Sequence, residues 1–136
     1  MRRKTIRVLL IEDNPGDVRL VREMLKGTPE FFFEIKHRGY LRTGLERLSA
    51  GGIDVVLLDL SLPDSLLGDN SLLRTYAMAP DVPIIVLTGL DDEALGRATV
   101  RAGAHAHVIK GQTDAETLIE LIRSAVVEDA SDDDET

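Results

Sequence analysis

The sequence predicts an α/β fold in which a five-stranded parallel sheet carries helices on both faces. Three observations point there. Apolar runs rich in β-branched residues alternate five times with amphipathic segments along 136 residues. The connections between them are short. The strongest runs, such as "VVLLD", stay apolar on both faces instead of alternating, as strands buried in a parallel sheet do. Units of this kind join through right-handed crossovers and leave a doubly wound sheet.

Each element has its own signal. "IRVLLI" (6–11) is the first strand. "NPGD" then supplies Asn14 as a cap and Pro15 for the first helical turn. Val18, Val21, Met24 and Leu25 recur at helical spacing until Gly27 stops the helix. "FFFEIKH" (31–37) is the second strand, polar enough at its end for a sheet edge, and "LRTGLERLSAG" is a short helix closed by Gly51 and Gly52. "IDVVLLD" (53–59) is the third strand, and the third helix starts near Asp69, Asn70 or Ser71 and reaches about Met78. "VPIIVLT" (82–88) is the fourth strand, with Pro83 tolerable where pairing begins. "DDEALGRATVRAG" (91–103) has acids in its first turn and a closing Gly103, as a helix prefers. "HAHVIK" (105–110) is the fifth strand. "DAETLIELIRSAVV" (114–127) is the last helix, with Leu118, Ile119, Ile122 and Val126 at core spacing. Thr113 or Asp114 caps it, with Glu116 completing a capping box on Thr113. A sheet of this length fits the flavodoxin-like strand order 2-1-3-4-5.

Composition bounds the function. With 43% hydrophobic and 29% charged residues the balance is that of a water-soluble domain, and no apolar run nears the roughly 20 residues of a membrane span. The apolar core of the N-terminal segment is too short for a secretory signal, so a cytoplasmic location is expected. Without cysteine there are no disulfides and no thiolate metal sites. The net charge of −8 is uneven: residues 128–136, "EDASDDDET", hold six acids and no base. Residues 1–127 are therefore expected to form the domain, with 128–136 an acidic disordered tail. The body is nearly neutral and has no basic stripe, which argues against direct nucleic-acid binding.

Four strands end in reactive side chains. "VVLLDLSLP" poses the sharpest question, because an unpaired buried charge costs several kcal/mol and Asp59 stands directly after an apolar run. Strand one ends in Glu12 and Asp13, strand three in Asp59, strand four in Thr88 and strand five in Lys110. In a parallel sheet all these ends share one edge, where ligands bind beside the switch point. Clustered carboxylates with no His or Cys among them favour Mg²⁺. With the cation bound, Asp59 becomes a nucleophile toward a phosphoryl group, whose oxygens Lys110 and Thr88 can meet. Taken singly, each residue also reads as an ordinary loop acid, strand hydroxyl or solvated lysine; four such accidents at one edge are less plausible than one site.

These residues carry a resemblance. "VLLIEDNPGD", "VVLLDLSLPD", "IIVLTG" and "AGAHAHVIK" make the chain similar to the receiver domain of two-component response regulators over residues 5–127. The resemblance implies a phosphoprotein of a two-component phosphorelay in which Asp59 accepts a phosphoryl group from a sensor histidine kinase or phosphotransfer protein. It implies Mg²⁺ bound by Asp13 and Asp59 directly, by Glu12 through water and by the Ser61 backbone carbonyl. Lys110 would pair with the phosphoryl group. Thr88 would shift toward it and alter the face of helix four, strand five and helix five. That face would serve a downstream protein, an attached effector domain or a homodimer. No turnover of an external substrate is expected.

Three departures stand out. His107 occupies the position where the family usually has Tyr or Phe; an imidazole could serve the same rotamer switch and add pH sensitivity. Gly111 replaces a proline commonly found in a cis peptide, and "KGQ" resembles receivers of hybrid, multidomain sensor proteins. "DSLLGDNSLL" is one residue longer than usual, which shifts Gly68 and the start of helix three. The small Gly89 after Thr88 leaves the phosphoryl site open. Two other readings compete: a phosphorylation-independent interaction module on the same fold, and an aspartate-nucleophile phosphatase. The second lacks a general acid, because Ser61 stands where a second aspartate is needed.

Overall fold

A computed structural model describes residues 4–26, 28–64 and 71–134, with side chains as far as Val126. In chain order the elements are β1 (Lys4–Ile11), α1 (Pro15–Met24), β2 (Phe31–Arg38), α2 (Leu41–Ser49), β3 (Val55–Asp59), α3 (Ser71–Met78), β4 (Ile84–Thr88), α4 (Glu93–Arg101), β5 (Ala106–Ile109) and α5 (Ala115–Asp134). A 3-10 turn, Leu90–Asp92, leads into α4. The five strands are parallel, in the order β2-β1-β3-β4-β5. The fold is the flavodoxin-like one expected from the sequence.

Alternation along the strands divides the core. Val8 and Leu10 of β1, Val55 and Leu57 of β3, and Ile85 and Leu87 of β4 turn toward Val18, Val21 and Leu25 at α1 and Leu118 and Ile122 of α5. Leu9, Ile11, Val56, Leu58, Ile84 and Val86 turn the other way, toward Leu41, Leu45 and Leu48 of α2. Every residue of β3 and β4 is buried, which explains why those runs are apolar on both faces. Against β1, α2 lies so close that a Cβ on Gly44 would stand 2.5 Å from Ile11 Cδ1.

The ends differ in instructive ways. β1 begins at Lys4, because Lys4 and Thr5 pair with Phe31 and Phe32 although their exposed polar side chains carry no strand signal. β3 begins at Val55 rather than at residue 53; the Asp54 carboxylate instead accepts a hydrogen bond from the Arg7 N–H at 2.8 Å. Pro83 lies just before β4, where its carbonyl still accepts from the Val56 N–H at 3.0 Å. Asn14 caps α1 as expected, accepting from the N–H groups of Gly16 and Asp17.

At α5 the cap is Asp114, whose Oδ1 accepts from the Thr117 N–H at 2.8 Å. The capping box expected on Thr113 does not form, because the Thr113 hydroxyl accepts instead from the Ile109 N–H at 3.1 Å. The backbone of α5 stays helical to Asp134, past the expected end at Val127 and through residues expected to form a disordered tail. Propagation adds one hydrogen bond per residue at little cost once a helix exists. The helix stop expected at Gly27, the cap candidates Asp69 and Asn70 and the shifted Gly68 lie outside the described residues.

One long-range cap ties the loop after β3 to α2. Tyr40, at the start of α2, offers no side-chain cap. The Asp64 carboxylate takes that place, accepting from the Leu41 N–H at 2.7 Å and the Arg42 N–H at 2.9 Å. Replacing it with alanine, D64A, is expected to cost about 1–2 kcal/mol in urea denaturation, with D64N losing less than half of that.

Candidate functional site

The C-terminal ends of β1, β3, β4 and β5 meet along one sheet edge. Glu12 follows β1, and its backbone is fixed from β2 on both sides. Its N–H donates to the Arg38 carbonyl at 3.0 Å, and its carbonyl accepts from His37 Nε2 at 2.7 Å. The Glu12 side chain is buried, and Oε1 accepts from the Asn14 N–H at 3.1 Å. Asp13 beside it is exposed at the mouth. Asp59 closes β3 and is 1% exposed. Its Oδ1 accepts from the Ser61 N–H at 3.1 Å and the Ser61 hydroxyl at 3.0 Å, so the loop folds back onto the carboxylate.

Lys110 supplies the balancing charge. The backbone N–H of Lys110 pairs with the Thr88 carbonyl at 2.8 Å, which continues the β4–β5 ladder and directs the side chain across the edge. Its Nζ lies 2.7 Å from Glu12 Oε2, 3.1 Å from Asp59 Oδ1 and 3.1 Å from Asp17 Oδ2. Thr88, the last residue of β4, is buried, and among the described residues its hydroxyl makes a long 3.4 Å contact to the Val108 carbonyl. His107 lies one layer away. It faces α4 on the side of the sheet that Thr88 also faces, and a Cβ on Gly96 would stand 2.7 Å from His107 Cδ2 and 3.2 Å from Thr88 Cγ2.

The environment separates the two buried acids. Burial pushes the Glu12 carboxyl up to about 7, and the Asp59 charge adds to the rise against the pull of Lys110. Burial acts on Asp59 in the same sense, but there the Lys110 ammonium and the Ser61 N–H prevail and hold it below the ordinary carboxylate value. Lys110 is raised in spite of its own burial, because Glu12 and Asp59 stabilise its charge. At neutral pH the site therefore presents an ionised, oriented carboxylate at Asp59. That is the state a nucleophile needs.

A divalent cation fits the donor set. One carboxylate oxygen each from Glu12, Asp13 and Asp59 lies within 4.8 Å of the others, all hard ligands of the type Mg²⁺ takes. Glu12 Oε2 is buried, and among the described residues it meets the Lys110 ammonium at 2.7 Å, an ion pair with no well-directed hydrogen bond. A metal-bound water would satisfy such an oxygen.

Residues 8–123 match the response regulator receiver domain family. The chain belongs to that family. The receiver resembles over 121 residues, at 28% identity, the transcriptional regulatory protein DegU of Brevibacillus brevis, covering 87% of this chain and 49% of that protein. It is 33% identical over 84 residues to the swarming motility regulation protein RssB of Serratia marcescens, covering 62% of this chain and 36% of that one. The chain thus spans half or less of the length of these relatives. Two solved structures share its fold. A CheY-like receiver domain protein of Methanospirillum hungatei aligns with a TM-score of 0.76 at 21% identity, over 95% of this chain and 99% of that one. A receiver domain protein of Clostridium thermocellum aligns with a TM-score of 0.73 at 23% identity, over 90% and 95%. The two curated relatives are named as regulators, of transcription and of swarming motility.

Glu12, Asp13, Asp59 and Lys110 come together at the sheet edge, while Thr88 ends β4 at that edge with its methyl beside Gly96, which His107 also approaches. Sequence reasoning missed Asp17 and His37. Asp17 was readable only as a first-turn acid of α1, and His37 only as a polar strand end.

The raised Glu12 carboxyl has a consequence for stability. A carboxyl raised in the folded state binds more protons there than in the unfolded chain between pH about 4.5 and about 7. Its contribution is present below that window and is lost as pH rises through it. In Mg²⁺-free buffer the stability difference between E12Q and the wild type should therefore grow in favour of E12Q across that window, by on the order of 3 kcal/mol, as read from denaturation at several pH values.

Proposed function

We propose that this receiver accepts a phosphoryl group on Asp59 from the phosphohistidine of a sensor histidine kinase or phosphotransfer protein. The observation that carries this reading is the buried, ionised Asp59 held by both Lys110 and Ser61 beside two further carboxylates. A carboxylate oxygen of Asp59 attacks phosphorus. The P–N bond to the donor imidazole breaks, and its electron pair returns to the ring. Mg²⁺, held by Asp13, Asp59, the Ser61 carbonyl and, through water, Glu12, would offset the carboxylate charge and orient the phosphoryl oxygens. Ser61 keeps the carboxylate turned toward the mouth, and Lys110 balances charge on the transferred group.

The readout begins at Thr88. Its hydroxyl has only a long contact in the present state, so a phosphoryl oxygen offers it a better partner. Movement of Thr88 frees space beside Gly96 and His107 and alters the face made by α4, β5 and α5. That face would meet a downstream protein, an effector domain or a second copy of the chain. The event is a local charge change biasing a two-state element. Residues 1–127 form the receiver unit in this reading, and 128–136 are an acidic extension; the family match ends at residue 123. A cytoplasmic setting suits such a partner, and no helix among the described residues is long and apolar enough to cross a membrane.

Incubation with Mg²⁺ and acetyl phosphate, followed by intact mass, tests the reading. Wild type should gain one acyl-phosphate adduct, lost on chelation of Mg²⁺ beforehand and absent in D59N. An unmodified wild type, or the same adduct on D59N, would falsify the assignment.

A further inference from the structure

Lys110 is held by three carboxylates, and one of them has no place in the metal-binding set. Glu12 and Asp59 belong to the trio of converging oxygens; Asp17 does not. It comes from α1, whose start is set by the Asn14 cap and Pro15, and it stands in the first turn of that helix. From there Oδ2 reaches Nζ at 3.1 Å, the same distance at which Asp59 holds it. The Asp17 side chain is 29% exposed, against 2% for Asp59, so it forms the rim of the site where the others form its floor.

We propose that Asp17 is a positioning residue that competes with Asp59 for Lys110 and thereby raises the donor concentration the receiver needs. This rests on the phosphoacceptor reading above. The Asp17 charge, 3.1 Å from Nζ, offsets part of the attraction that Lys110 exerts on Asp59 and on an arriving phosphoryl group. The carboxylate stands in the first turn of α1, where the helix dipole favours an anion. A fixed negative charge on the rim then faces an anionic donor and works against its approach.

The alternative is that Asp17 only stabilises the start of α1. In that case its replacement changes stability and nothing in the kinetics. The two ideas separate when the initial rate of Asp59 phosphorylation is measured against acetyl phosphate concentration at fixed Mg²⁺ and low salt. D17N keeps the shape and removes the charge. It is expected to lower the half-saturating acetyl phosphate concentration roughly three- to tenfold while the maximal rate stays within about twofold. D17E restores the charge and should return the half-saturation toward wild type. Should D17N fold poorly by circular dichroism, D17S, well suited to a first turn, carries the same expectation. If the neutral variants match wild type, or need more donor, the inference is overturned while the phosphoacceptor reading stands. No adduct on wild type overturns both.

Discussion

The arrangement that the rest of this structure depends on is a lysine ammonium held against two carboxylates that the sheet has removed from water. Neither Glu12 nor Asp59 could be tolerated alone at nearly complete burial, since an isolated ionised carboxylate there costs several kcal/mol. Lys110 makes the pair possible, and the doubly wound topology brings Lys110 to them. β1 and β3 are neighbours at the point where strand order reverses, which sets Glu12 beside Asp59. β5 lies two strands away, a gap that a long side chain can span and a short one cannot.

Holding this group in place also explains several contacts remote from any chemistry. His37 fixes the Glu12 carbonyl from the edge strand, and with a carbonyl as partner its Nε2 must carry the proton. Ser61 turns the chain back on Asp59 through both its N–H and its hydroxyl. Three residues further on, Asp64 anchors the same loop to α2. A carboxylate balanced between one cation and several donors is poised rather than merely stable. Its surroundings keep it ionised while the neighbouring Glu12 is held near neutrality.

What was legible in the sequence divides along a physical line. Strands buried on both faces announce themselves, because burial forces every residue to be apolar; β3 and β4 are the clear cases. That Glu12, Asp13, Asp59 and Lys110 come together was also legible, because parallel topology alone puts strand ends on one edge. Contacts set by the angle of a helix or the path of a loop were not. Nothing in "NPGD" says that Asp17 reaches a lysine ninety-three residues later. No local pattern announces that Asp64 caps a helix twenty-three residues earlier. The capping box failed for a related reason. Thr113 had a better use closing the turn after β5, and a local motif cannot register that competition.

Two departures from the family pattern have local physical reasons. Gly111 sits at φ +79°, and among the described residues no peptide bond is cis. Proline is locked near −65°, so the path taken after Lys110 is one that proline cannot follow and glycine can. His107, in place of a larger aromatic ring, packs against the bare backbone of Gly96, where any Cβ would collide with the imidazole and crowd the Thr88 methyl. Histidine and glycine are therefore a matched pair. Exchanging either alone disturbs the contact between α4 and the strands beneath it. Glycine serves the two departures differently: at 111 through a positive φ, and at 96 through the missing Cβ that leaves room for the imidazole.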